Sequence, residues 1–257
     1  MSIVAVCPFC TRRVITNLTI DLGKDSKAVW YTCSCGCYFK KDKGIDKKVF
    51  DDKYKTEYAK GHGIKERLDY QRKVYLPLIS ELTPGRVALV VGPTIDHDVV
   101  ELRKLGFVAE GIDLIKNDNS NIFVGDFEYF EFKKQYDIIF MQDVVQSFDD
   151  PIKAIIKANN LLRPGGVLFI STPEPRLINE TGYNMWGCWN NAEHNVYLTS
   201  DNLNKLLQNI GMEVVLKREN IERRFNCWNN HHSISQKVYG GNNVQENELT
   251  NIEPMPE

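Results

Sequence analysis

The stretch that decides the fold begins with Val87-Ala-Leu-Val-Val91, an apolar run that stops at Gly92-Pro93. An amphipathic segment follows, and further short apolar runs then alternate with helical patterns as far as Pro173. Strands that alternate with helical segments of about 10–15 residues are typical of βαβ units. We therefore predict an α/β fold with a doubly wound, mostly parallel sheet that is buried on both faces.

Two acidic residues come at the ends of predicted strands. Asp113 ends the second strand, 21 residues after Gly92, and Asp126 ends the third. Ligands of such sheets bind outside the carboxyl ends of the strands. We therefore expect Asp113 to accept hydrogen bonds from a ribose diol and Asp126 to meet the base of the same nucleoside. The alternatives are that Asp113 caps the next turn and that Gly125-Asp126 is only a turn.

The order and spacing of several motifs resemble the class I S-adenosylmethionine-dependent methyltransferases. The motifs are the Gly92 turn, Gly111-Ile-Asp113, Val124-Gly-Asp126, Tyr136-Asp-Ile-Ile-Phe140, Leu161-Leu-Arg-Pro-Gly-Gly-Val-Leu168, Glu193-His194 and the helical segment Thr199–Gly211. The resemblance covers about residues 64–239. It implies a seven-stranded Rossmann-like sheet and methyl transfer from S-adenosylmethionine.

The same resemblance implies which residues hold the cofactor. They are Gly92, Pro93, Thr94, Asp113, Leu114, Asp126, Phe127 and Gln142. Phe127 can stack against the adenine or belong to the core.

The glycine-rich loop departs from the family pattern. That loop usually reads Asp-x-Gly-x-Gly-x-Gly, whereas this chain has Val90-Val-Gly92-Pro-Thr94-Ile-Asp96. Because side chains replace two glycines, a catalytically silent scaffold that docks protein or nucleic acid is the alternative function. A nicotinamide dehydrogenase is disfavoured, since Gly-x-Gly-x-x-Gly is missing after the first strand.

Candidate catalytic residues follow the fourth and fifth predicted strands. Gln142 and Asp143 come directly after Tyr136–Met141, where they can hold the acceptor or the methionine portion of the cofactor. A long, aromatic-rich connection after Pro175 favours a small or planar acceptor, such as a small molecule or a sugar. It includes His194, which we predict as the general base. The alternative is a hydrogen-bonded structural histidine.

Five of the seven cysteines lie before residue 38. Cys7-Pro-Phe-Cys10 is followed, after 22 residues, by Cys33-Ser-Cys35-Gly-Cys37, a separation that fits a zinc ribbon in which two hairpins present four thiolates. We predict structural zinc bound by Cys7, Cys10, Cys33 and Cys35, with Cys37 as the alternative ligand. A small sheet with free thiols is the other interpretation. This use of cysteine indicates a reducing compartment, so we expect a cytoplasmic protein.

The chain divides into four predicted parts. They are a zinc-ribbon-like domain at 1–39, a charged connector or lid at 40–63, a methyltransferase domain at 64–239 and a disordered tail at 240–257.

Charge is unevenly distributed along the chain. Residues 1–82 carry 16 basic and 10 acidic side chains, a net charge of +6, whereas the remaining residues carry 16 basic and 24 acidic side chains, a net charge of −8. Such asymmetry allows a nucleic-acid or protein partner through residues 1–60, although basic and acidic residues alternate there as in a solvated linker. No run reaches the ~18 apolar residues of a membrane span, so we expect no membrane contact.

Overall fold

The computed structural model describes residues 5–23, 26–40, 73, 75–93, 97–115, 119–177, 188, 193–219 and 230–238. Its N-terminal part is built from short strands: β1 (Ala5–Val6), β2 (Arg13–Val14), β3 (Asn17–Gly23), β4 (Ser26–Thr32) and β5 (Tyr38–Lys40). β1 and β2 form an antiparallel hairpin, and β3, β4 and β5 form an antiparallel sheet. The predicted small β unit at the N-terminus is therefore present.

The later described residues form the main sheet. Their strands are β6 (Val87–Val91), β7 (Val108–Asp113), β8 (Ile122–Val124), β9 (Tyr136–Gln142), β10 (Leu162–Pro173), β11 (Val196–Tyr197), β12 (Met212–Glu219) and β13 (Asn230–Lys237). All of these except β11 form one seven-stranded sheet in the order β12-β13-β10-β9-β6-β7-β8. The strands from β6 to β10 pair in parallel, and β13 lies antiparallel between β10 and β12. The predicted fold class is confirmed: a doubly wound, mostly parallel Rossmann-like sheet.

The strand order reverses at the centre of this sheet. After β6 the chain moves outward through β7 and β8, and it then returns to place β9 on the other side of β6. The α-helices in the described ranges are α1 (Leu76–Leu82), α2 (His97–Lys104), α3 (Pro151–Leu161) and α4 (Ser200–Asn209), and Val145–Ser147 and Pro175–Leu177 each form a short 3-10 helix. Because ligands of doubly wound sheets bind where the order reverses, the crevice between the ends of β6 and β9 is the expected site.

Local signals set the starts of α3 and α4. α3 begins at Pro151, and the carboxylate of Asp150 accepts a hydrogen bond from the amide of Lys153 at 3.2 Å. α4 begins with a capping box, in which the Thr199 hydroxyl accepts from the Asn202 amide at 3.2 Å and the Asn202 side chain accepts from the Thr199 amide at 3.3 Å. Each such cap contributes about 1 kcal/mol, so these helix starts are encoded locally.

Apolar side chains fill both faces of the main sheet. On one face Ile79 of α1 and Val99 of α2 pack in a cluster with Ile138 of β9. On the other face a second cluster contains Leu203 of α4 and runs on without a break to Phe9 and the buried N-terminal cysteines. The N-terminal strands therefore share their hydrophobic core with the main sheet.

Strand β11 joins the N-terminal part to the rest of the chain. It pairs antiparallel with β5, with Val196 opposite Phe39 and Tyr197 opposite Tyr38. The ring of Tyr197 also stacks on Trp30, with 4.8 Å between the ring centroids. No pattern in the sequence predicted β11, which lies at the end of the aromatic-rich connection.

Several predicted features lie outside the described residues. These are Thr94, the connector or lid at 41–63, the tail at 240–257 and most of the aromatic-rich connection, at 178–187 and 189–192. None of the described helices has both the length and the apolarity needed to cross a bilayer.

At the amino-terminal rim of the main sheet, the Asp137 side chain connects the start of β6 to Arg163 of β10. One carboxylate oxygen accepts from the Val87 amide at 2.9 Å, and the other accepts from the Arg163 guanidinium at 2.8 Å. Gly85 lies directly against this carboxylate, because a Cβ placed there would be 2.2 Å from the Asp137 Cγ. The close approach requires glycine at residue 85, since both oxygens of Asp137 are held in place.

We expect Gly85→Ala to lower the free energy of unfolding by about 1–3 kcal/mol, the usual cost of forcing a methyl group into filled space. Urea unfolding measures the change. Ser80→Ala on the exposed side of α1 is the matched control and should stay within about 0.5 kcal/mol of the parent. Equal stability of Gly85→Ala and the parent protein would contradict this account of the rim.

Candidate functional site

The carboxyl ends of β6, β7 and β9 lie side by side at the point where the strand order reverses. Val91 pairs with Ile112 on one side and with Met141 on the other. Gly92, Asp113 and Gln142 each come next in sequence after these paired residues, so they lie at the same edge of the sheet. The structure thus brings together three of the residues predicted to hold a cofactor.

Gly92 forms a tight turn at this edge. Its φ is 64°, and its amide donates to the Ile112 carbonyl at 2.9 Å. A Cβ at this position would be 3.0 Å from the Val144 Cγ2, so both the backbone conformation and the available space favour glycine. Pro93 is buried directly after the turn, and its ring fills the space above Gly111.

Asp113 lies half-buried at the end of β7, followed by the partly exposed Leu114. Its Oδ1 accepts a hydrogen bond from the Ile115 amide at 3.1 Å, and its carbonyl oxygen accepts from the Gly125 amide at 2.8 Å. Turn capping and ligand binding are compatible for this side chain, because a carboxylate has about four lone-pair positions on its two oxygens. The turn orients the carboxylate at the edge of the sheet.

Asp126 and Phe127 follow β8, which ends at Val124, so Asp126 lies two residues beyond the end of the strand that it was predicted to close. The Asp126 Oδ1 accepts from the Glu128 amide at 2.9 Å, and its carbonyl accepts from the Phe130 amide at 2.8 Å, so this residue organises a turn. Phe127 is a core residue, with 3% of its surface exposed. Its ring lies 5.7 Å from that of Phe132. Of the two interpretations of Phe127, core packing is the one that its burial and ring contacts favour.

Asp143 adopts a left-handed backbone conformation immediately after β9, with φ 54°. Its amide donates to the Ser171 carbonyl at 2.8 Å, and its own carbonyl accepts from the Gln146 side chain at 2.8 Å. Its Oδ1 accepts from the Ser171 hydroxyl at 3.4 Å. A non-glycine residue in this conformation is uncommon and is held by its surroundings, often at a functional site.

His194 lies in a buried polar network, with 6% of its surface exposed. The Tyr197 hydroxyl donates to the Cys188 carbonyl at 2.6 Å, so it accepts from His194 Nδ1, which is 2.8 Å away. The other ring nitrogen, Nε2, lies 3.3 Å from the Gln146 amide nitrogen and accepts from it. These partners correspond to a neutral imidazole protonated at Nδ1, with both ring nitrogens engaged.

Gln146 connects this network to the sheet, and no sequence motif identified it. It is 1% exposed, and its Oε1 accepts from the Thr172 hydroxyl at 3.2 Å while its amide group donates to Asp143. A polar residue in the run Val144-Val-Gln-Ser-Phe148 is the available sequence signal. Its partners, however, come from parts of the chain that only the fold brings together.

The four predicted zinc ligands form a cluster in which all the sulfur atoms lie within 4.8 Å of one another. The Cys7 and Cys35 sulfurs are 3.7 Å apart, and the Cys10 and Cys33 sulfurs are 3.4 Å apart. Tetrahedral zinc with Zn–S bonds of about 2.3 Å requires sulfur separations of about 3.8 Å, so the arrangement fits that ion. Cys37 lies outside this set, and its buried thiol donates toward the Tyr38 carbonyl at 3.8 Å.

Two short turns place these sulfurs. The Thr11 amide donates to the Cys7 carbonyl at 3.0 Å, and the Gly36 amide donates to the Cys33 carbonyl at 2.9 Å. Hydrogen bonding from the Cys35 thiol lowers the pKa of Cys7 to about 2, whereas burial raises the pKa of Cys10 to about 11. The close approach of the sulfur atoms contributes to both of these opposite shifts, and cysteine binds metal in the thiolate form.

Residues 67–217 match the family model of a methyltransferase domain, which is 151 of the 257 residues. The chain belongs to this methyltransferase family. No curated protein sequence matches the chain.

Solved methyltransferase structures share the fold. The 1,6-didemethyltoxoflavin-N1-methyltransferase of Burkholderia thailandensis, with bound 1,6-didemethyltoxoflavin and S-adenosylhomocysteine, is 14% identical, with a TM-score of 0.56 over 84% of this chain and 97% of that chain. The complex of the Trm112 methyltransferase activator with a methyltransferase from Haloferax volcanii gives 14% identity and a TM-score of 0.54, over 73% of this chain and 97% of that chain. The N-methyltransferase NodS of Bradyrhizobium japonicum, in complex with S-adenosylhomocysteine, is 14% identical, with a TM-score of 0.51 over 67% of this chain and 87% of that chain. At these identities the likeness establishes the fold alone.

The network around His194 predicts its tautomer. We expect the ring to carry its proton at Nδ1 and not at Nε2, because Tyr197 presents an acceptor to Nδ1 and Gln146 a donor to Nε2. Long-range ¹H–¹⁵N NMR spectra of the imidazole measure this directly, with His194→Gln to assign the signals. Protonation at Nε2 would contradict these hydrogen-bond directions.

Proposed function

We propose that this methyltransferase-family protein transfers a methyl group from S-adenosylmethionine to a small-molecule acceptor. The observation that carries the proposal is the placement of the Gly92 turn beside the Asp113 carboxylate, where the strand order of the sheet reverses. A nucleoside ligand needs a close approach to bare backbone and an acceptor for its ribose hydroxyls, and this edge offers both.

In this proposal, different residues bind different parts of the cofactor. Gly92 and Pro93 present backbone, and Asp113 with Leu114 holds the ribose. Asp126 lies toward the base. Gln142 and Asp143, at the end of β9, hold the methionine portion or the acceptor. The carboxylates suit hydroxyl and amino groups, since they accept charge-assisted hydrogen bonds.

S-adenosylmethionine supplies an electrophilic methyl group on a positively charged sulfur. In the transfer, a lone pair of the acceptor forms a bond to the methyl carbon while the carbon–sulfur bond breaks and its electrons remain on sulfur. The protein's contribution is alignment and exclusion of water, because the methyl group is already activated.

The sequence predicts His194 as the general base, whereas its environment favours a different role. Both of its ring nitrogens are engaged by Tyr197 and Gln146, and the residue is buried. We therefore propose that His194 holds Gln146, and through it Asp143, in position. Any proton lost by the acceptor then leaves through another group, such as the Asp143 carboxylate.

A small acceptor is the proposal that the neighbouring structures support. The 1,6-didemethyltoxoflavin-N1-methyltransferase from Burkholderia thailandensis carries 1,6-didemethyltoxoflavin and S-adenosylhomocysteine. The aromatic-rich connection of this chain is compatible with such an acceptor. The competing function, a catalytically silent scaffold, predicts the same fold without cofactor binding.

We also propose that Cys7, Cys10, Cys33 and Cys35 bind a structural zinc ion. Their sulfur separations fit the tetrahedral ion, and a divalent cation among them stabilises all four thiolates at once. The ion would join the turn between β1 and β2, which carries Cys7 and Cys10, to the turn between β4 and β5, which carries Cys33 and Cys35.

Cofactor binding tests the proposed function. Calorimetry with S-adenosylhomocysteine should detect binding to the parent protein and on the order of 100-fold weaker binding to Asp113→Ala, because two charge-assisted hydrogen bonds together contribute about 3 kcal/mol. Glu213→Ala, an exposed acid at the start of β12 on the opposite rim, is the control and should bind like the parent. Absence of binding to the parent protein would favour the silent scaffold.

Zinc content tests the metal centre. Purified protein should carry about one zinc per chain, and Cys35→Ser should lose most of it because three thiolates remain. Cys37→Ser removes a cysteine two residues away and should keep the zinc. Mass spectrometry under native conditions measures both variants, and the reverse pattern would make Cys37 the ligand.

A further inference from the structure

The metal-binding segment and the candidate methyl-transfer site are connected by a short strand. β11 pairs with β5 on one side, where the Lys40 amide also donates to the Asn195 carbonyl at 2.9 Å. On its other side, the Asn195 amide donates to the Gln146 carbonyl at 2.7 Å. Residues 195–197 therefore lie between the N-terminal sheet and the loop 143–148 that follows β9.

The side chain of Asn195 makes a second connection to the same loop. Its Nδ2 donates to the Ser147 carbonyl at 3.0 Å, and the residue is 1% exposed. Tyr197 makes a parallel connection, since its ring stacks on Trp30 and its hydroxyl contacts His194, which in turn contacts Gln146. Both series of contacts that start at the N-terminal sheet, through Asn195 and through Tyr197, therefore end at Gln146 or at Ser147.

The turn that carries Cys35 and Gly36 also contacts the start of α4. The Asn202 side chain donates to the Cys35 carbonyl at 2.9 Å. A Cβ at Gly36, which has φ 88°, would be 3.0 Å from the Thr199 Cγ2. Asn202 and Thr199 are the capping residues of α4, so the start of α4 is held against the turn that carries Cys35, while β11 is paired with β5.

We propose that Asn195 and Tyr197 are positioning residues through which the cysteine segment 5–40 holds the loop 143–148, and with it Asp143, in place. The inference rests on the proposed zinc centre and methyltransferase site. β11 has two residues, and so short a strand is stable only when a preformed neighbour supplies its pairing partners. An ordered β5 is that neighbour, and metal binding orders small units of this kind.

Hydrogen–deuterium exchange of the full-length, cofactor-free protein tests the connection. Removing zinc with a chelator should speed exchange about tenfold in peptides covering 33–40, 193–199 and 143–148, because buried backbone hydrogen bonds open locally. Exchange in β6 and β7 should stay unchanged. A faster segment 33–40 with an unchanged loop 143–148 would overturn the proposal, and so would an equal rise in β6 and β7.

Asn195→Ala tests the same connection without touching the metal. It removes the Nδ2 donor to Ser147 and leaves the backbone pairing with β5, so zinc content and exchange in 33–40 should match the parent while exchange in 143–148 rises several-fold. Asn209→Ala, at the exposed end of α4, is the matched control and should change none of these readouts. Unchanged exchange in 143–148 of Asn195→Ala would overturn the proposal.

These readouts are independent of the proposed chemistry. Failure of the parent protein to bind S-adenosylhomocysteine would remove the methyltransferase function and leave the exchange results standing. Failure of the exchange experiment in a protein that binds the cofactor would remove the positioning role alone.

Discussion

The parallel pairing of β6 with β9 is the contact on which the site depends. It places strands that are separated in sequence by β7 and β8 next to each other, so the Gly92 turn lies beside Gln142 and Asp143. On the other side of β6, β7 brings Asp113 to the same edge. A parallel sheet puts all these carboxyl ends on one rim, and the reversal of strand order opens a crevice there.

Polar contacts hold the residues at this rim in a defined arrangement. Asp143 is held in a left-handed conformation by Ser171 and Gln146, and Gln146 is held by Thr172 and His194. Buried polar groups of this kind are stable when each finds partners, and a network that satisfies them specifies one arrangement. At the opposite rim the Asp137 carboxylate lies directly against Gly85, which fits a structural role.

The N-terminal sheet is an integral part of this molecule. The buried N-terminal cysteines belong to the same hydrophobic cluster as the apolar residues of α4. Strand β11 pairs with β5 and forms one edge of the N-terminal sheet. An exposed strand edge is open to other chains, and covering one with a strand from the same chain removes that hazard. In our proposal, the same contact makes the order of residues 195–199 depend on the order of β5.

The sequence by itself determined the α/β alternation, the strand end at Asp113, the helix starts at Pro151 and Thr199, and the grouping of the four cysteines. Each of these depends on neighbours within a few residues or on a repeating pattern. Only the tertiary structure decided that Phe127 is a core residue, that His194 has both nitrogens engaged, and that β11 pairs with β5. These outcomes depend on contacts between residues as far apart as Phe39 and Val196. No local pattern encodes such contacts, because their energy arises only when the chain has brought both partners together.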